Sequence, residues 1–247
     1  MHIGKLVEIM ECIRAVIPAA GLSSRMGDFK PLLMLQGRTL IENCVSNLLK
    51  GGAETVTVVT GYRADEIEGT LSSSFGRSVN FIRNDNYAGT DMLHSIKLGV
   101  SILKPCDAFF LLPGDMPMVS AQTCSALIKM RTHSLSPVIF PFFNGHRKHP
   151  PLIDAKLIPA ICSFNGTGGL RELWKCYEKE MTIVQVDDPG TNIDIDTPED
   201  YLYCLDRSAG SIKSTIRLFQ NIFLHAKKSL RFCLYLSIKY NPHTKQR

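Results

Sequence analysis

Apolar, β-rich runs at 13–18, 55–60, 79–83, 107–112 and 137–141 alternate with stretches whose apolar positions recur at helical spacing, at 40–50, 92–103 and 121–130. The β-α-β-α order predicts an α/β fold, a Rossmann-like three-layer α/β/α sandwich around a mostly parallel sheet. Ligands of such sheets collect beyond the carboxyl ends of the strands. Two strands break there into chemically rich loops, "AAGLSSRMGDFKPLL" at 19–33 and "PGDMPMV" at 113–119. A third such segment, "NIDIDTPEDYLYCL" at 192–205, reads as a short strand with Asp194 and Asp196 on one face, followed by a helix that Thr197 caps and Pro198 opens.

The first loop fits neither of two common phosphate-binding spacings. Gly21 and Gly27 stand five residues apart rather than four, Asp28 occupies the position of the P-loop lysine, and no glycine follows Gly21 two positions on. Its chemistry still suits an oligophosphate: Gly21 lets backbone N–H groups approach an anion, Ser23 and Ser24 add hydroxyl donors, and Arg25 and Lys30 add positive charge. In the second loop a strand stops at Pro113-Gly114 and presents Asp115. Taken singly, these features also fit a glycine-rich surface turn, a turn aspartate and a helix cap. Together, a triphosphate loop and two aspartates at strand ends make a minimal site for nucleotidyl transfer with Mg2+, which takes one or two protein carboxylates and fills its shell with phosphate and water.

Composition narrows the setting. With 45% hydrophobic and 21% charged residues over 247 positions, the chain reads as an ordinary soluble protein with one main domain. Its apolar runs fall far short of the ~20 residues of a membrane span, so no transmembrane segment is expected. The start "MHIGKLVEIMECIR" carries charges inside its apolar part and no small-residue cleavage site, unlike a secretory signal. Eight cysteines without a Cys-x-x-Cys pair point to reduced thiols in a cytoplasm and away from a thiolate-bound metal.

The set Gly-Leu-Ser-Ser-Arg-Met-Gly-x-x-Lys after Ala19-Ala20, then Gly-Asp-Met-Pro, then Asp-Thr-Pro-Glu-Asp, resembles the nucleotidyltransferases that attach a nucleotide to molybdopterin, and more broadly the enzymes that activate phosphorylated sugars and isoprenoid precursors. The resemblance spans about 13–205. "PAAGLSSRMG" is more similar to the molybdenum-cofactor cytidylyltransferases than to the guanylyltransferases, which usually carry Gly-Gly where this chain has Ala20-Gly21. It therefore implies CTP as nucleotide, a molybdopterin phosphate as acceptor, Mg2+ as cofactor and a molybdoenzyme as recipient, with no nucleic-acid partner.

Carried onto this chain, the resemblance implies Ala19 and Ala20 near the base, Gly21, Ser23, Ser24, Arg25 and Lys30 on the triphosphate, and Gly114 in the nucleotide loop. Arg25, Lys30 and Asp115 would be catalytic, and Asp115 and Asp196 the metal ligands with Asp194 as the alternate. The lysine charge would be spent on the leaving phosphates rather than on a buried partner. His149-Pro150 matches an acceptor-side motif, although Lys148 replaces its usual glycine, and "NGTGGLREL" at 165–173 resembles a glycine-rich turn whose helix favours an anionic acceptor. His94 and His146 are expected at packing or surface positions. Three alternatives stay open: transfer to a sugar phosphate, guanylyl transfer to the same cofactor, and a non-catalytic cofactor carrier or chaperone for a molybdoenzyme.

The resemblance ends near Asp206. Segment 207–247 holds nine Lys or Arg and no Asp or Glu, and since the whole chain carries +5, residues 1–206 carry −4. Ile212, Ile216, Phe219, Ile222 and Phe223 recur at helical spacing, so the reading is a nucleotidyltransferase domain at 1–206 and a basic amphipathic tail at 207–247, packed in its first turns and disordered after about Tyr240.

Overall fold

The computed structural model describes residues 11–22, 26 and 29–208. By its internal contacts the chain divides into two compact units, 1–201 and 202–247, and the second is described only to Ser208, where a helix ends. The expectations for the tail beyond that point, and those for Ser23, Ser24 and Arg25, lie outside the described residues.

The five expected strands form within two residues of their apolar runs: β1 (Ile13–Pro18), β4 (Thr55–Thr60), β5 (Val79–Arg83), β6 (Ala108–Leu111) and β7 (Val138–Phe143). Two-residue pieces β2 (Met34–Leu35) and β3 (Arg38–Thr39) make a separate hairpin. Completing the main sheet are β8 (His146–Arg147), β9 (Leu152–Asp154) and β10 (Thr182–Gln185), in the order β10-β7-β9-β6-β1-β4-β5 with β8 paired to β7. β1 pairs in parallel with both β4 and β6, β4 with β5, and β7 with β10, whereas β9 runs antiparallel between β6 and β7. The sheet is thus mixed but mostly parallel.

Helices cover both faces because each central strand is apolar on both. Ala15 and Ile17 of β1 belong to one core layer with Ile41, Cys44, Val45 and Leu48 of α1 (Leu40–Lys50), Ile67 and Leu71 of α2 (Ala64–Phe75), and Cys124 and Leu127 of α4 (Ala121–Arg131). Val16 points the other way, into a layer with Leu93, Ile96 and Val100 of α3 (Met92–Ser101), Ile161 of α5 (Ile158–Ser163) and Leu170, Leu173 and Trp174 of α6 (Leu170–Lys175). α7 (Pro198–Ser208) closes the described chain. Helix starts follow local chemistry: Thr39 and Glu42 form a capping box on α1, Asp91 caps α3, and Ser120 caps α4.

One expected element is missing. Residues 193–196 form no strand; after a 3₁₀ turn at Pro189–Asn192 they run as irregular chain, held by Ile195 N–H donating to the Asp115 carbonyl at 2.9 Å. Alternation of Asp and Ile suggested period two, but among the described residues no strand pairs with it.

Candidate active site

β1 and β6 are neighbours in the middle of the sheet, and the loops that leave their carboxyl ends are laced together. Ala19 N–H donates to Val59 O (2.9 Å), Leu112 N–H to Val16 O (3.1 Å) and Gly114 N–H to Pro18 O (3.4 Å). A Cβ on Gly114 would lie 3.2 Å from the Ala19 methyl and 3.3 Å from Ile41 Cδ1, so the loop carrying Asp115 lies tight on the end of β1. From beneath, Asn47 of α1 donates its amide N–H groups to Pro117 O (3.1 Å) and Val119 O (2.8 Å). Between the loops opens a cleft of about 220 Å³, lined by Pro18, Ala19, Gly21, Lys30, Pro31, Met92, Pro113, Gly114, Asp115 and Asp196.

Lys30 lies at the centre of this cleft. Its Nζ donates to Asp196 Oδ1 at 2.9 Å and to Asp115 Oδ2 at 3.4 Å, joining three loops separated by 85 and 166 residues. The side chains are 12% exposed for Lys30, 27% for Asp115 and 28% for Asp196, so the cluster is shielded but open to the cleft. Burial pushes the Asp115 carboxyl above the usual carboxylate range, with Asp196 adding to the rise; the Lys30 ammonium opposes both without cancelling them. The expectation that the lysine charge would have no buried carboxylate partner is therefore corrected: without phosphate, the two carboxylates are the nearest anions to it.

The other expected residues distribute unevenly. Gly21 lines the cleft, and a Cβ there would meet nothing within 4 Å. Ala20 is buried beside Gly61, where a Cβ on Gly61 would come within 2.7 Å of its carbonyl, and it does not line the cleft. Asp194 is exposed, and of the two aspartates it is Asp196 that meets Lys30. His149 lies outside the lining with Nδ1 3.4 Å from Leu111 O; burial lowers its pKa, against the raising effect of that carbonyl, Asp115 and Asp194, and keeps the imidazole neutral at pH 7. His94 and His146 are exposed, as expected. The glycine-rich turn before α6 is not in the lining either: the six-residue α6 packs Leu170, Leu173 and Trp174 into the core, with Trp174 edge-on to Phe140.

Sequence reasoning missed the residues that hold the third loop. Buried Asp188 accepts from Ser120 N–H (2.9 Å), the Thr123 hydroxyl (2.6 Å) and Gly190 N–H (3.0 Å), tying the chain before Asp196 to the start of α4. Asp200 Oδ2 accepts from Asp196 N–H (3.1 Å), Thr197 N–H (2.8 Å) and the Thr197 hydroxyl (2.8 Å), while Asp200 N–H donates to Thr197 Oγ1 (3.3 Å). This is a capping box with aspartate in the glutamate position. The Thr-x-x-Asp spacing carried a signal for it; nothing local signalled Asp188.

Two carboxylates that converge on one cation are a donor set suited to Mg2+ or Mn2+, and among the described residues no group of three or more His, Cys, Asp or Glu gathers to hold a metal. Residues 15–182 match the MobA-like NTP transferase domain. Over 80% of its length the chain is 30% identical to 98% of the molybdenum cofactor cytidylyltransferase of Escherichia coli, and over 77% it is 28% identical to 95% of the nicotine blue oxidoreductase of Paenarthrobacter nicotinovorans. Its fold superimposes with a TM-score of 0.69 on a nucleotidyl transferase from Methanothermobacter, 28% identical, covering 80% of this chain and 98% of that one. With a family model matched over 15–182 and a 30% identical relative covered almost end to end, the chain belongs to the MobA-like NTP transferase domain family.

Proposed function

We propose that this protein transfers CMP from CTP to the phosphate of molybdopterin or the molybdenum cofactor, with release of pyrophosphate. The observation that carries the reading is the convergence of Lys30, Asp115 and Asp196 on one point of the cleft. The acceptor phosphate oxygen forms a bond to the α-phosphorus of CTP, the bond from that phosphorus to the α–β bridging oxygen breaks, and pyrophosphate leaves with the electron pair. Negative charge grows on groups that are already anionic, so positioning and electrostatic compensation dominate the catalysis. Lys30 compensates the β- and γ-phosphates as they depart, and Gly21, with open space where a side chain would stand, lets its backbone approach the triphosphate. Asp115 and Asp196 would hold Mg2+, which supplies charge neutralisation between the α-phosphate and its neighbours. An acceptor phosphate is ionised near neutral pH, and no general base is required.

A hydride-transfer reading, raised by the name of the oxidoreductase relative, leaves the lysine–carboxylate cluster without a task. The resemblance of the Ala20-Gly21 dipeptide to the cytidylyltransferases favours CTP over GTP, although Ala20 itself stays out of the cleft. The test is pyrophosphate release with molybdopterin and Mg2+, comparing CTP with GTP. A higher kcat/KM for CTP is expected; equal values would remove the cytidylyl assignment, and release only with a sugar phosphate would move the acceptor.

A further inference from the structure

The Lys30 ammonium bridges the two carboxylates read as the metal seat. It lies within hydrogen-bond distance of both at once, its side chain is more buried than either, and those carboxylates are its two ion-pair partners among the described residues. We propose that Lys30 is the resident counter-ion of the Asp115–Asp196 pair, that it keeps divalent metal out of the free protein, and that it gives up the carboxylates only when a triphosphate arrives to receive it. The inference rests on the reading of Asp115 and Asp196 as the metal seat.

The physical reason is the cost of an unpartnered charge. A divalent cation that bound the two carboxylates with the ammonium in place would sit a few ångströms from like charge. If the ammonium instead withdrew, a shielded cation would lose both partners, which is strongly unfavourable. A triphosphate removes the difficulty, because its β- and γ-oxygens offer the ammonium a new anionic partner as the metal takes the old ones. Metal and nucleotide therefore favour each other's binding, and by linkage the coupling is the same in both directions. Before substrate arrives the two carboxylates share the Lys30 ammonium; afterwards the ammonium faces phosphate.

The test is binding of Mn2+ alone, without nucleotide, followed by electron paramagnetic resonance of the free ion. Wild-type protein is expected to bind it weakly, and Lys30→Met, which keeps the side-chain bulk and removes the charge, about tenfold more tightly or better. Lys30→Arg is expected to stay as weak as wild type, and Lys30→Met combined with Asp115→Asn to lose the gain. A folded Lys30→Met protein that binds Mn2+ no better than wild type overturns the proposal. A second readout uses wild-type protein only: Mn2+ alone, at a concentration that saturates Lys30→Met, should leave the rate at which acetic anhydride modifies Lys30 unchanged, read by peptide mass, whereas Mn2+ added with CTP should change it; a rate changed by Mn2+ alone also overturns the proposal. The outcomes separate this inference from the proposed function. A Lys30→Met gain in a protein that never transfers CMP keeps the counter-ion role and sinks the cytidylyl reading, whereas CMP transfer by wild type with no gain in the variant does the reverse.

Discussion

Asp115 illustrates how a site residue can work against the fold that presents it. Burial raises its pKa in the folded chain, so the folded state favours the protonated form. That contribution is fully present below the unfolded carboxylate value of about 3.9 and is lost as pH rises through the raised one. At pH 7 the ionised side chain therefore costs stability. Asp115→Asn, uncharged and of the same shape, is expected to leave the Tm at pH 7 unchanged or higher while removing most turnover; a clear fall in Tm, read by thermal melts beside initial rates, would assign Asp115 a structural role instead. The two aspartates of the third loop separate by the same logic of contact. Asp196→Asn should lower kcat by roughly 10²-fold or more, the scale of one lost electrostatic group, and Asp194→Asn should stay within about twofold because only Asp196 reaches Lys30. Inactivation by Asp194→Asn alone would reverse the assignment.

At the scale of elements, the start of α7 and the turn before it fix where Asp196 stands. Thr197→Ala removes the hydroxyl of the capping box and is expected to cost about 1 kcal/mol. Asp200 is subject to opposed effects: burial raises its pKa, but hydrogen bonds from the Thr197 hydroxyl, Thr197 N–H and Asp196 N–H, with the nearby Lys30 charge, outweigh it and leave the value lowered. Its stabilisation is thus full above the unfolded carboxylate pKa and is lost as pH falls through the lower folded one. An Asp200→Asn chain, melted between pH 7 and pH 3, should lose less stability on acidification than wild type. Gly190 is constrained by space, since a Cβ there would come within 1.9 Å of the Met118 carbonyl oxygen. Gly190→Ala must push apart the loops that carry Asp115 and Asp196, with an expected cost of about 1–3 kcal/mol and a fall in kcat beyond what the lower Tm explains.

At the scale of the whole molecule, the described residues lining the cleft all lie between Pro18 and Asp196. A chain ending at Asp206 is accordingly expected to keep nucleotide turnover. If it stays folded and soluble yet loses turnover, residues 207–247 belong to the working enzyme and the boundary proposed from their charge is misplaced. Among the described residues no helix is long and apolar enough to cross a membrane.

How much of this could be read from sequence follows from how local each cause is. Five strands and three helices were legible because period-two, period-3.6 and continuous apolar runs are properties of neighbouring residues, and the helix start at Thr197-Pro198 is signalled by adjacent positions. The resemblance brought Lys30, Asp115 and Asp196 forward as a set. That Lys30 bridges the two carboxylates across 85 and 166 residues, that Asp196 rather than Asp194 does the meeting, and that Ala20 and the turn before α6 stay out of the cleft depended on how loops at the ends of β1 and β6 pack on each other. Residues 193–196 make the point most plainly: their alternation was strand-like, but a strand needs a partner, and the fold gave Ile195 a single bond to the Asp115 carbonyl instead. Sequence by itself determined the elements and the chemistry available at their ends; the tertiary structure alone decided which charges face one another, because electrostatic and hydrogen-bond energies depend on distances that the chain sets only when it closes on itself.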